Sequence, residues 1–415
     1  MVTDHATSRS MTVETASITD QQLKAMINEQ LDELIQIRHD LHTHPELMFQ
    51  EERTSGVVKT HLDAEGIQHV DGLAKGTGVL GYLPGDAGRA IGLRADMDAL
   101  PILEKTGLPY ASAHEGRMHA CGHDGHTTIL IGTAKILARI QREHGLPRPV
   151  TFLFQPAEEG GAGGDLMVQE GCLDGSLIGE PLENIFGLHG WPQTEQGAIT
   201  TRVGPIMAES DRFEITIRGE GSHAAWPHGS RDPIIAANAI LTALQSIVSR
   251  NTSPTDSVVI STTMFNAGTA FNVIPSEAKL AGTVRTIDGQ VKARTIERME
   301  QIVASIAAAH ECTAELDYRH GYPVLVNDAE AVELLREAGV GTLGAQNVHD
   351  MVDPVMGGED FAYFAREIPA CFFGLGLIPR GSDSMPLLHQ DTFDFNDAAI
   401  AHGIEIFCRL ALRSA

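Results

Sequence analysis

The sequence predicts an α/β fold in which a central sheet flanked by helices is interrupted by a smaller, inserted α+β domain. Three observations predict it. The chain has 415 residues, more than one hydrophobic core usually fills, so two domains are expected. Short apolar runs of strand length alternate with amphipathic segments of helical period. Carboxylates, imidazoles and a thiol follow several of these runs, where α/β proteins place their chemistry.

The composition bounds the functions that the chain can have. With 42% hydrophobic and 20% charged residues it resembles an ordinary globular protein. The formal net charge of −25 argues against nucleic acid or an anionic membrane as a partner. No apolar run is expected to reach the length of a membrane span, and the scattered cysteines indicate free thiols in a reducing compartment. We therefore expect a cytoplasmic protein whose first segment, 1–22, is polar and loose.

Periodicity predicts the elements of the larger domain, which we assign to 23–204 and 321–415. The first helix, over 23–41, should end before His44-Pro45 because a residue that precedes proline avoids the helical region. Further helices are predicted at 55–64, 127–141, 329–338 and after 396. Strands are predicted at 78–83, 90–95, 150–154, 184–190 and 371–376.

The pattern changes near residue 205. Asp232 caps a helix that Pro233 opens. This helix, 233–250, is one of two in the segment, the other being 290–310, and strands are predicted at 212–218, 257–265, 278–287 and 312–318. The order β-α-β-β-α-β is that of a ferredoxin-like α+β unit. We therefore assign 205–320 to an inserted satellite domain.

Two loop segments carry the strongest chemical signal. The first contains Cys121-Gly-His123, and the second sets Glu158 beside Glu159. Thiolate, imidazole and carboxylate are ligands of zinc-like or manganese-like divalent ions. Adjacent glutamates point in different directions, so one can bind metal while the other takes a proton from an acidified water. An inert buried thiol and two solvated glutamates are the alternatives for each segment alone, but together they indicate a metal-dependent hydrolase.

The chain resembles the M20 family of dinuclear metallopeptidases, specifically its N-acyl-amino-acid amidohydrolases. That branch includes hippurate hydrolases, auxin–amino acid conjugate hydrolases and N-acetyl-diaminopimelate deacetylases. The blocks that carry the resemblance follow one another in the family's order, at 38–47, 94–101, 118–126, 155–160, 187–192, 221–228, 272–275, 282–285, 357–361 and around His389. The resemblance implies a zinc-peptidase-like catalytic domain with a central mixed sheet flanked by helices, and a satellite domain that serves as lid and dimerisation domain.

Position by position, the resemblance implies the roles of individual residues. Glu158 falls on the general base, which would activate a metal-bound water. Two divalent ions per subunit are implied, manganese or zinc, with cobalt or nickel also possible. Their ligands would be Cys121, His123, Glu159, His189 and His389. Side chains expected to orient ligands rather than bind metal are Asp96, Asp98 and Asp124.

The satellite domain is expected to complete the site. The resemblance places His223 on an oxyanion-stabilising histidine that often comes from a partner subunit, and it places Asn272 and Arg285 on substrate. A guanidinium suits a carboxylate-bearing substrate, although a solvated Arg285 is the alternative. We expect a homodimer or higher homo-oligomer that hydrolyses N-acyl-L-amino acids. A dinuclear exopeptidase on the same scaffold and a non-catalytic metal- or ligand-binding homologue are the alternative functions.

Overall fold

The computed structural model describes residues 18–86 and 88–413. The helices are α1 (Asp20–Thr43), α2 (Glu52–Ala64), α3 (His123–His144), α4 (Gly163–Gln169), α5 (Pro233–Ser246), α6 (Gly289–Ala309), α7 (Ala329–Leu343), α8 (Ala362–Glu367) and α9 (Ile400–Ala411). The strands are β1 (Gln68–Leu73), β2 (Gly78–Leu83), β3 (Ala90–Asp96), β4 (Val150–Gln155), β5 (Leu182–Glu195), β6 (Ile199–Thr201), β7 (Gly204–Met207), β8 (Glu209–Arg218), β9 (Ser222–His223), β10 (Val258–Ala267), β11 (Val273–Ile274), β12 (Glu277–Thr286), β13 (Thr313–Tyr322), β14 (Leu325–Asn327), β15 (Val348–Asp350) and β16 (Ala370–Ile378).

The larger sheet is mixed, as the resemblance implied. Its order is β1-β2-β4-β3-β5-β16-β6-β15. Strand β3 runs parallel to both β4 and β5, whereas β2 is antiparallel to β4. Alternate residues of β4 enter different cores. Phe152 and Phe154 pack with α1, α3 and α9, while Leu153 packs with α4 and α8 on the opposite face. Burial on both faces explains why the central strands are continuously apolar.

The second sheet confirms the ferredoxin-like arrangement. Its strands are antiparallel in the order β10-β12-β8-β13, and α5 and α6 cover one face. Phe213, Ile215 and Ile217 alternate along β8 and are buried against these helices. Strands β7 and β14, which lie on the two chain passages between the sheets, pair with each other as an antiparallel ribbon. The division of the chain at 205 and 320 stays a prediction.

One expectation about the satellite helices is wrong. By length and composition alone, the 19-residue helical run Pro233–Asn251 is apolar enough to cross a membrane, with a mean hydropathy of 1.2. The run consists of α5 and a π-helical turn that continues it. Its inner side, including Ala236, Ile240 and Leu244, is buried in the satellite core, and the core helix of a soluble protein can have the same composition.

Two helices begin earlier than periodicity predicted. Helix α1 starts at Asp20, where Thr19 and Gln22 form a reciprocal capping box. The end of the segment predicted to be loose therefore caps and begins this helix, while 1–17 lie outside the described residues. Helix α3 starts at His123, after Gly122 with a φ of 87°, so the first turn of α3 includes part of the Cys/His cluster.

Candidate metal centre

Neighbouring elements deliver the candidate ligands to one edge of the large sheet. Strands β3 and β4 are parallel neighbours, so their carboxyl ends, with the loops that follow, lie side by side. The loop after β4 carries Glu158 and Glu159, and α3 begins beside it. His189 lies within β5, next to β3 in the sheet. His389 lies in the loop after β16, with a φ of 65°.

All five predicted ligands come together as two groups that share Cys121. In each group the donor atoms lie within 4.8 Å of one another: Cys121, His123 and His189 in one, and Cys121, Glu159 and His389 in the other. The Sγ atom of Cys121 is 3.3 Å from Nε2 of His189 and 3.3 Å from Nε2 of His389. Two adjoining groups with a common thiol are suited to a pair of divalent ions with a bridging thiolate.

Hydrogen bonds to carbonyl groups orient two of the imidazoles. Nδ1 of His123 is 2.8 Å from the carbonyl oxygen of Asp98, and Nδ1 of His189 is 2.8 Å from that of Gly190. A carbonyl oxygen only accepts, so each Nδ1 carries the proton and each Nε2 has a free lone pair. Nε2 of His123 and Oε1 of Glu159 are buried without a hydrogen-bond partner. Such orphaned atoms are costly, and a divalent ion would satisfy both.

Asp96 and His126 support the site without needing metal. The backbone N–H of Gly190 donates to Nε2 of His126 at 2.8 Å, and Nδ1 of His126 donates to Oδ1 of Asp96 at 2.6 Å. Both nitrogens of His126 are therefore engaged. The other oxygen of Asp96 accepts from Arg94 at 2.7 Å and lies 3.7 Å from Nε2 of His123. These contacts fix the surroundings of the His123 ring.

Two buried carboxylates hold the loop that presents the paired glutamates. Asp98 accepts hydrogen bonds from the backbone N–H groups of Glu158, at 3.0 Å, and Glu159, at 2.9 Å. Glu51 accepts one from Ala157 at 2.9 Å, where the backbone has a left-handed φ of 56°. A non-glycine residue in this region is strained and persists only where its surroundings hold it. The two carboxylates thus set the directions of both glutamates.

Asp124 has a different environment from the other two aspartates. Its carboxylate accepts from Nε of Arg38 at 2.9 Å and lies 2.8 Å from Nδ1 of His42, whereas no side-chain hydrogen bond links it to the described candidate ligands. It connects α1 to the first turn of α3. Its influence on the site therefore acts through the placement of α3.

The buried charges around Glu158 are short of cations. Burial, followed by the charges of Glu359 and Glu159, raises the pKa of Glu158 well above its usual value. Burial also raises the pKa of Glu359 to about 8 and that of Asp360 to about 6, although Arg94 opposes both shifts. Arg94 donates to Glu359 at 3.0 Å and to Asp360 at 2.9 Å. The donor set and this charge imbalance fit divalent cations.

A cavity of about 750 Å³ opens over the donors. Arg285 from the satellite domain lines it, and so do apolar side chains, namely Trp191, Met207, Val355 and Leu388. The structure does not bring His223 or Asn272 to this cavity. It places them together on an exposed part of the satellite domain, where β9 pairs with β11 and the N–H of Ala224 donates to the carbonyl oxygen of Asn272 at 2.9 Å.

Sequence reasoning missed some residues that shape the site. The hydroxyl of Tyr322 accepts from the N–H groups of Gly160, at 2.8 Å, and Ala162, at 3.2 Å, and donates to the carbonyl oxygen of Glu158. It therefore ties the end of β13 to the loop of the glutamates. Glu51 and Arg212, which lines the cavity, were missed as well. These residues belong to no metal-ligand spacing, so the sequence offered no signal for them.

Comparisons with known proteins agree with this geometry. The chain is 41% identical over 380 residues to N-acetylcysteine deacetylase of Bacillus subtilis, covering 91% of this chain and 96% of that protein. It is 38% identical over 392 residues to hippurate hydrolase of Campylobacter jejuni, covering 94% and 99%. A crystal structure of the Bacillus subtilis YXEP protein, described as a dinuclear metal-binding peptidase from the M20 family, superposes with a TM-score of 0.79 at 35% identity, covering 95% and 98%.

The family assignment rests on most of the chain. The large sheet, the satellite unit and the paired donor groups all lie within the aligned regions. A sequence model matches residues 92–413, which include the five candidate ligands and Glu158. The chain therefore belongs to Peptidase family M20/M25/M40.

Proposed function

We propose that this protein is a metal-dependent amidohydrolase that cleaves N-acyl-L-amino acids into a carboxylic acid and a free amino acid. The observation that carries the proposal is the position of Glu158 beside two donor groups that share Cys121. The compared relatives are named for N-acetylcysteine and for hippurate, which is N-benzoylglycine. Both compounds are N-acyl amino acids, and the amide bond is the group that their acyl parts share.

We assign two divalent ions to the donor groups. Cys121, His123 and His189 would hold one, and Cys121, Glu159 and His389 would hold the other. When bound, such ions lower the pKa of a water from ~15.7 to about 7 and polarise a carbonyl group. The thiolate and imidazoles favour zinc, whereas the carboxylate suits manganese. Zinc or manganese is therefore the proposed pair, and cobalt or nickel fits the same donors.

Glu158 is the proposed general base. It takes a proton from water as the water oxygen attacks the acyl carbon, and it delivers this proton to the nitrogen as the carbon–nitrogen bond breaks. Its burial, with an exposed fraction of 7%, and its neighbouring carboxylates raise its pKa. A carboxyl group with a raised pKa keeps the accepted proton until the amine leaves. Asp98, by holding the backbone N–H, keeps Glu158 in place.

The satellite domain, 205–320, is proposed as lid and dimerisation domain. Support comes from His223 and Asn272, which lie outside the cavity of their own chain but close to each other. The surrounding surface exposes large apolar side chains, namely Trp226, Phe271 and Val273. Contiguous exposed apolar residues mark interaction surfaces. We propose that a second copy of the chain covers this surface and that each copy supplies His223 and Asn272 to the other's site.

A turnover assay tests the proposed reaction. Wild type and Glu158→Gln, each stripped and reloaded with zinc or manganese, are given a panel of N-acyl amino acids. We expect the variant to lose about 10²–10⁴-fold in kcat at unchanged metal content. Glu300→Gln, on the exposed side of α6, is the control and should keep full activity. Cleavage of dipeptides instead would favour an exopeptidase, and no turnover by the metal-loaded wild type would favour a binding homologue.

A further inference from the structure

Two arginines of the satellite sheet face the cavity. Arg212 lies on β8 and Arg285 on β12, and both line the cavity above the candidate metal centre. Along β8, Phe213 and Ile215 are buried against α5 and α6. Since side chains alternate along a strand, Arg212 points to the opposite, uncovered face of the sheet. By the same alternation on β12, Arg285 shares that face, because Val284 is buried in the satellite core.

The guanidinium groups reach two loops that border the cavity. An added Cβ atom at Gly160, next to the candidate ligand Glu159, would lie 3.6 Å from Nη2 of Arg212. An added Cβ atom at Gly358, next to Glu359, would lie 3.3 Å from Nη1 of Arg285. The absence of a side chain at these two glycines leaves room for both guanidinium groups beside the metal centre.

Neither guanidinium forms an ion pair with the residues that the structure describes. Other arginines of the same sheet face do. Arg218 lies 3.3 Å from Glu277 and 3.6 Å from Glu315, and Arg319 pairs with Asp317 at 2.5 Å. Burial, followed by the charge of Arg212, lowers the pKa of Arg285. Two like charges that approach each other without a counter-charge repel, and an anion between them would relieve this repulsion.

We propose that Arg212 is a substrate-binding residue that forms, with Arg285, a clamp for one carboxylate of the substrate. Arg285 pairs directly with Ser210, so Arg212 is its diagonal neighbour, about 7–8 Å away. This spacing lets a single carboxylate lie between the two guanidinium groups and accept hydrogen bonds from both.

The clamp defines the substrate class more closely. The inference rests on the proposed function, for which it names the free carboxylate as the group that selects the substrate. N-acyl amino acids with a free carboxylate are bound, whereas their amides and esters are not. The formal net charge of −25 gives an anion no general attraction to the protein, so its capture depends on local cations such as these.

Calorimetric binding to the metal-loaded, full-length protein tests the clamp without turnover. The protein carries Glu158→Gln in every case. The ligands are two acid–amide pairs, N-benzoylglycine with its amide and N-acetyl-L-alanine with its amide. We expect at least one acid to bind about 10–100-fold more tightly than its amide. Adding Arg212→Gln should cut this ratio by about tenfold or more, mainly by weakening the acid.

Arg218→Gln is the matched control. It makes the same change on the same strand and sheet face, at an arginine already paired with glutamates, and should leave the ratio unchanged. An acid–amide ratio that survives Arg212→Gln, or acids that bind no better than their amides, would overturn the inference. The proposed function is judged separately from wild-type turnover. A wild type without turnover whose binding ratio still depends on Arg212 would refute the reaction but not the clamp.

Discussion

Cys121 is the residue on which both metal positions depend. Its thiol is buried, and this burial together with the charges of Glu159 and Glu158 raises its pKa well above the usual value. Burial alone would lower the pKa of His123, but Asp96 raises it to about 10. Without metal, both groups are therefore protonated at neutral pH. A metal ion binds only the deprotonated forms, so it competes with protons at each position.

Metal loading should accordingly release protons. Because protons compete with the metal, affinity should rise with pH from about 6 towards 9, and wild type should release protons at pH 7 when zinc is added. Cys121→Ser should release fewer protons and bind fewer than two ions, since it removes a donor from both groups. The measurement is a calorimetric zinc titration in buffers of different ionisation enthalpy. Cys408→Ser, which alters another buried thiol, should match wild type; an unchanged stoichiometry in Cys121→Ser would contradict the bridging role.

Residues differ in how far the sequence could predict them. Cys121, His123 and Glu159 could be named because they are ligand types in short, dense segments. Asp98 could be named only as a supporting group, because its contacts with the glutamate loop join chain positions about 60 residues apart. Tyr322 acts through backbone groups, which no side-chain pattern in the sequence reveals.

At the scale of elements, Arg38 of α1 connects the two segments that carry ligands. Its buried guanidinium donates to Asp124 in the first turn of α3 at 2.9 Å. It also donates to Asp394, in the loop that carries His389, and Asp394 accepts from the hydroxyl of Tyr110 at 2.9 Å. The loop thus has a charged anchor to the helix that begins at the other donor group.

Loosening this anchor should weaken one metal position more than the other. Asp394→Asn keeps the shape of the side chain but removes the charge that pairs with Arg38. We expect the affinity of the ion held by Glu159 and His389 to fall about 10–100-fold, as for other supporting groups, with a smaller effect on the other ion. Two-site cobalt titration, followed by absorption, measures both. Asp391→Asn, on the same loop but paired with the exposed Lys105 at 2.6 Å, is the control, and equal behaviour of the two variants would contradict the anchor.

Elements with strong local signals were predictable and others were not. The central strands and most helices match their predicted positions because burial imposes a clear apolar period on them. Strand β1 has a mostly exposed or half-buried surface, and its polar sequence gives no such period. Strands β9 and β11 are two residues each, and they pair His223 with Val273, about 50 positions apart. Only the folded chain brings such short segments together.

For the whole molecule, the central question is which chain completes a given site. Each chain holds its own candidate ligands, Glu158 and Arg285 around one cavity. His223 and Asn272 lie elsewhere, on an exposed surface of the satellite domain. The proposed reaction needs a donor for the developing oxyanion. If a second copy provides it, the complete site contains residues of two chains, and activity depends on their association.

Mixing two inactive variants tests this shared site. Glu158→Gln retains His223, and His223→Ala retains Glu158, so a mixed dimer with exchange between chains has one complete site of its two. After co-refolding in equal amounts, half of the dimers are mixed, and activity should recover to about a quarter of that of wild type. Each variant alone, and the two variants combined in one chain and mixed with wild type at matched concentration, serve as controls. If His223 acted within its own chain, every mixed dimer would hold two incomplete sites, and mixing would restore nothing.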